Sequence, residues 1–167
     1  MTAPGERRQI RPGLIVLPPP VGHIRYSSVM SRCALLNRVL GDLDVLALYL
    51  FGSRADDGLS ALDGGAVDPA GSDLDVGVIF TDSALAPHRL ARLQVSLEDV
   101  FAPLRVDLVP LQRVDSLFQF RAIDGHRIYA SDPTQADRRE LVIMRRAAEL
   151  LPIERRLERD LFGISTT

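Results

Sequence analysis

The chain has 167 residues, 46% hydrophobic and 25% charged, with a formal net charge of -2. That length suits one domain with an ordinary core, and the near-neutral charge gives no electrostatic ground for nucleic acid as a direct partner. A single cysteine, Cys33, excludes an internal disulfide. With no leader-like apolar core at the N-terminus and no membrane-length apolar run, the default expectation is cytoplasmic, without a membrane partner.

Residues 1–26 are rich in Arg and Pro and include Pro18-Pro19-Pro20. They read as an arm preceding a domain over 27–167, with Leu14 to Leu17 able to dock as a short strand. Ser27 or Ser28 is placed to cap a helix that ends near Leu40 at Gly41. Its apolar positions Met30, Cys33, Ala34, Leu36 and Leu40 share one face, which buries Cys33. Val45 to Phe51 is a near-continuous apolar run, the pattern of a strand covered on both faces, with Tyr49 in the core.

That strand ends in Gly52-Ser53. Glycine lets the backbone approach a ligand closely, and the serine hydroxyl and free turn N–H groups can bind phosphate oxygens, more so if a helix starts there. Arg54 adds a positive charge suited to the same phosphates. Residues 54–72 then read as a loop, with Leu59 to Ala70 rich in Gly, Ala and Asp. A second strand spans Asp73 to Phe80. Side chains alternate along a strand, so Asp73 and Asp75 share one face while Leu74, Val76, Val78 and Phe80 take the other.

Asp82 or Ser83 is placed to cap a helix reaching Phe101, with a core stripe of Leu90, Leu93, Leu97, Val100 and Phe101. A third strand covers Leu104 to Val109, with Asp107 on the face of Arg105 and Val109. A helix over 114–122, a short strand over 127–130 and a helical region over 133–162 complete the chain. Pro133 suits a first helical turn, and Pro152 is expected to break or kink the helix near Leu150. The alternation of strands and helices argues for an α/β or α+β architecture.

Paired carboxylates repel unless a cation lies between them. Asp73, Asp75 and Asp107 are hard oxygen donors on neighbouring strands, which suits two Mg²⁺ ions clamping an in-line displacement at phosphorus. A plainer reading makes Asp73 a turn residue after Gly71-Ser72 and leaves Asp75 merely exposed. It does not account for Asp107 or for the Gly-Ser turn. His23, His88 and His126 lack metal-ligand spacing, and His126 beside Gly125 reads as a turn residue.

The combination of Gly52-Ser53, a spacer, Asp73-Leu74-Asp75 and Asp107 on a later strand resembles the DNA polymerase β-type nucleotidyltransferase superfamily. The small size and the segment Gly125 to Asp132, followed by a charged helix, look like the minimal nucleotidyltransferase antitoxins encoded beside HEPN-domain ribonuclease toxins. The resemblance covers roughly residues 30 to 160. It implies a mixed β-sheet flanked by helices with C-terminal helices, and Mg²⁺-dependent transfer of AMP from ATP to a tyrosine of the partner toxin. It further implies that Gly52 and Ser53 bind the triphosphate, that Asp73 and Asp75 bind the metals, and that Asp107 completes the metal site and helps activate the acceptor hydroxyl. The 54–72 spacer is longer than the family pattern. Loop closure entropy grows slowly with length, so the strands need not move. The extra material would still lie beside the phosphates as a lid or an obstruction.

Two other readings stay open: a catalytically silent module that neutralises its partner by binding, and the same chemistry on another acceptor. All twenty basic residues are arginine. Arg138, Arg139, Arg145, Arg146, Arg155, Arg156 and Arg159 decorate the last helices, either as a solvated face or as an interface for the toxin or a second copy of the chain. Glu140, Glu149, Glu154, Glu158 and Asp160 offset their charge.

Overall fold

The computed structural model describes residues 26–81 and 86–162. Their order is α1 (Tyr26–Asp42), β1 (Val45–Phe51), α2 (Ala55–Leu62), β2 (Leu74–Phe80), α3 (Pro87–Phe101), β3 (Val106–Pro110), a 3₁₀ turn (Leu111–Arg113), α4 (Ser116–Ile123), β4 (His126–Ala130) and α5 (Pro133–Phe162). The four strands form one mixed sheet in the order β3-β2-β1-β4. β1 runs antiparallel to β2 and β4, while β2 and β3 are parallel, joined by α3. This is a polymerase β-like α+β fold.

Two apolar layers sandwich the sheet. On one side Leu48, Leu50, Leu74, Val76, Val78 and Phe80 pack against Leu36 and Leu40 of α1, Leu62 of α2 and Leu93, Leu97 and Phe101 of α3. On the other, Ala47, Tyr49, Phe51 and Ile79 meet Ala122 and Ile123 of α4 and Ala136 and Ile143 of α5. Every residue of β1 is therefore buried, as its unbroken apolar run requires. Cys33 is buried as expected.

Four sequence expectations need correction. The 54–72 spacer is not wholly a loop, because its first part is α2. Gly58 lets this helix sit close to the sheet: a Cβ there would press on Leu50 and Leu74. α3 begins at Pro87, and the expected caps Asp82 and Ser83 lie outside the described residues, as does the arm at 1–25. α5 runs unbroken through Pro152. Both Pro152 and Ala148, whose carbonyl loses its helical donor, are exposed, so water can serve that group. Glu140 is not a surface charge. It is 6% exposed, accepts a hydrogen bond from the Tyr49 hydroxyl at 3.0 Å, and pairs with Arg127 at 3.0 Å. Arg127 also reaches Asp137 at 2.7 Å, so the network ties α5 to β1 and β4. The other arginines named on α5 are all exposed.

Candidate active site

The sheet topology gathers one end of every strand. β1 finishes where β2, β3 and β4 begin. Asp75 is the register partner of Asp107 across the parallel β2–β3 pair, and of Phe51 across β1–β2. Register partners share a face, so Asp75 and Asp107 stand side by side. Asp73, two residues earlier, stands just before β2. Farther along this face Gly77 packs against Leu111, and Ile79 joins the second core layer. The carboxylates thus lie at the open end of a face that is otherwise sealed.

Asp75 is half-buried, Asp107 is exposed and Asp73 is 44% exposed. Burial, then the neighbouring Asp107 and Asp73, push the Asp75 carboxyl above the usual carboxylate range. The donor set is all oxygen and all anionic, the chemistry of a Mg²⁺ site, and a cation there would relieve the repulsion that raises Asp75. Among the described residues, no three His, Cys, Asp or Glu side chains are already arranged to hold a metal ion. Asp73 Oδ1 instead meets Arg105 Nε at 3.0 Å.

Gly52 ends β1 at φ +74°, a conformation that suits glycine. Ser53 is exposed, with its Oγ 3.4 Å from Ser72 Oγ. α2 starts two residues later without a side-chain cap, and its first N–H, that of Ala55, donates to the Gly52 carbonyl at 3.4 Å; a helix start is in general a place that favours an anion. Two carboxylates share that turn. Asp57 is paired with Arg54 at 2.9 Å, and Asp56 meets His126 Nε2 at 3.2 Å. His126 is not in a turn but opens β4.

Arg54 points elsewhere than the phosphate side. It is 8% exposed, and besides Asp57 it donates to the carbonyls of Ala70 (3.0 Å), Ser72 (3.1 Å) and Asp68. The guanidinium fastens the 68–72 segment against the start of α2. That fastening brings Ser72 beside Ser53. Sequence reasoning did not single out Ser72 or Arg105. A signal for Arg105 was present: pairing Asp75 with Asp107 places Asp73 next to the residue two before Asp107. A cleft lined by Leu46, Thr81, Gln112, Arg138 and Arg139 lies at the opposite end of the strands, away from the acids.

No curated protein matches the sequence. Among solved structures, a mutant of the toxin–antitoxin pair MntA-HpeT has a chain 17% identical, with 74% of this chain and 86% of that chain covered and a TM-score of 0.47. A toxin–antitoxin crystal structure with AMP-PNP has one 18% identical, covering 76% and 90%, also at 0.47. A complex of a tri-AMPylated Shewanella oneidensis HEPN toxin with its MNT antitoxin is similar at 18% identity, covering 77% and 91%, with a TM-score of 0.44. The family model described as polymerase beta, nucleotidyltransferase matches residues 36–134, more than half of the sequence, and the chain belongs to that family.

Proposed function

We propose that this protein is an antitoxin-type protein adenylyltransferase that transfers AMP from ATP to a tyrosine of a HEPN ribonuclease toxin. The observation that carries this reading is the pairing of Asp75 with Asp107 beside the Gly52–Ser53 turn. It puts oxygen donors for a divalent cation next to a turn suited to phosphates. The name MNT antitoxin attached to a structural neighbour, and the AMPylated HEPN toxin bound to it, agree with the motif resemblance in the sequence.

In this reading Ser53, Ser72 and the first N–H groups of α2 hold the β- and γ-phosphates. Asp73, Asp75 and Asp107 would hold two Mg²⁺ ions, which when bound stabilise the charge developing at phosphorus. The acceptor hydroxyl forms the new O–P bond as the bond to the bridging oxygen breaks and pyrophosphate leaves. Asp107, the exposed member of the trio, takes the hydroxyl proton. Arg54 acts indirectly by fixing the segment that carries Ser72.

The test is intact-mass spectrometry of the HEPN partner after incubation with this protein, ATP and Mg²⁺. Added AMP masses, lost with Asp73→Ala, establish the activity. A stable complex with no mass change would instead favour neutralisation by binding, the reading that the long 54–72 spacer keeps open.

A further inference from the structure

Arg105 stands immediately before β3, and its backbone is fixed. Its carbonyl accepts a hydrogen bond from Leu74 N–H at 2.8 Å, and the next register pairs are Leu74 with Val106 and Asp75 with Asp107. Above this rigid base the side chain is free to move. Its guanidinium meets Asp73 Oδ1 at 3.0 Å while the side chain is 82% exposed and that of Asp73 is 44% exposed. Among the described residues, two further guanidiniums near this end of the sheet are committed. Arg54 is buried against four partners, and Arg127 is held by Asp137 and Glu140.

We propose that Arg105 is a positioning residue that holds Asp73 until a divalent cation claims that carboxylate, so that the cation binds together with its nucleotide rather than ahead of it. The inference rests on the nucleotidyltransferase reading of the site. An exposed ion pair is weak, worth at most about a five-fold factor in an equilibrium. It can therefore be exchanged, which a buried pair cannot. A cation arriving alone must displace the guanidinium and leave it with water. A cation arriving on a triphosphate brings phosphate oxygens, and the released guanidinium has the planar donor geometry that suits them. Arg105 thereby penalises the bare cation and favours the cation–nucleotide complex.

The experiment measures binding of Mn²⁺, followed by the electron paramagnetic resonance of the free ion, with and without a non-hydrolysable ATP analogue. The proteins are wild type, Arg105→Gln, Asp73→Asn and the double variant. In Arg105→Gln, affinity for Mn²⁺ alone should rise about three- to five-fold, and affinity for the analogue with Mn²⁺ should fall by a similar factor. In the Asp73→Asn background the gain in Mn²⁺ affinity should vanish, because the contact acts through Asp73. An equal gain in both backgrounds would reduce Arg105 to a general surface charge and overturn the proposal. So would unchanged Mn²⁺ affinity in Arg105→Gln. Failure of every protein to bind Mn²⁺, even with the analogue, would overturn the nucleotidyltransferase reading itself.

Discussion

Gly52 lies directly against the Asp75 carboxylate. A Cβ added at Gly52 would collide with Asp75 Oδ2, and the residue sits at φ +74°. One position thus serves both the turn proposed to hold the phosphates and the space that the acid needs. Gly52→Ala is expected to destabilise the fold by about 2 kcal/mol through backbone strain and overpacking, and to abolish AMP transfer by displacing Asp75. Thermal unfolding and the mass-shift assay check the two effects separately.

Asp75→Asn should separate stability from activity. The folded-state pKa of Asp75 is raised, by burial first and then by Asp107 and Asp73, with Arg105 the facing cation on Asp73. A raised carboxylate favours the fold fully only below its unfolded pKa, and this advantage is lost as pH rises through the folded value. At neutral pH the ionised group is a net cost. Asp75→Asn should therefore melt higher than wild type at pH 7. The gap should close below about pH 3.9. Transfer should fall at least about 100-fold, since a carboxylate held for charge stabilisation is lost. A lower melting temperature at pH 7 would contradict the assigned strain.

Arg54→Ala should loosen the spacer. The side chain holds Asp57 and three carbonyls of the 68–72 segment. Losing buried, charge-assisted bonds should cost about 2–3 kcal/mol. Limited proteolysis should then cut within 63–72 in the variant well before the wild type. Nucleotide binding should weaken as Ser72 leaves Ser53. Equal cleavage rates would show that the segment is held by something else.

Glu140→Ala removes the acceptor shared by Tyr49 and Arg127. Burial first, then Glu140, pushes the Tyr49 hydroxyl far above its ordinary pKa, so it stays a proton donor at any working pH. Breaking a buried pair on one side should cost about 3 kcal/mol, or roughly 6–12 °C in Tm for a chain of this size. Calorimetry checks this.

Cys33 is buried, and burial first and Asp63 second raise its thiol pKa. The folded protein should therefore react with a thiol reagent at neutral pH far more slowly than the urea-unfolded chain, as absorbance on mixing would show. Comparable rates would place Cys33 at the surface.

The sequence by itself determined the strands and the reactive face. β1 is legible to the residue because a seven-residue apolar run has little alternative to a doubly covered strand. The spacing of Asp73 and Asp75, and the placement of Asp107 opposite an apolar face, follow from the period of two along a strand. Side-chain partners were not legible, since they depend on register and on which elements cross. Arg54 reads as a phosphate ligand until the chain folds 68–72 back onto it. Glu140 reads as one more helical surface charge until α5 crosses the sheet above Tyr49. Arg105 acquires a role only when the parallel pairing of β2 with β3 sets it beside Asp73. A periodic pattern fixes which way a residue faces. Only the tertiary structure decides what it meets there, because long-range pairing brings together residues whose separation in sequence carries no local signal.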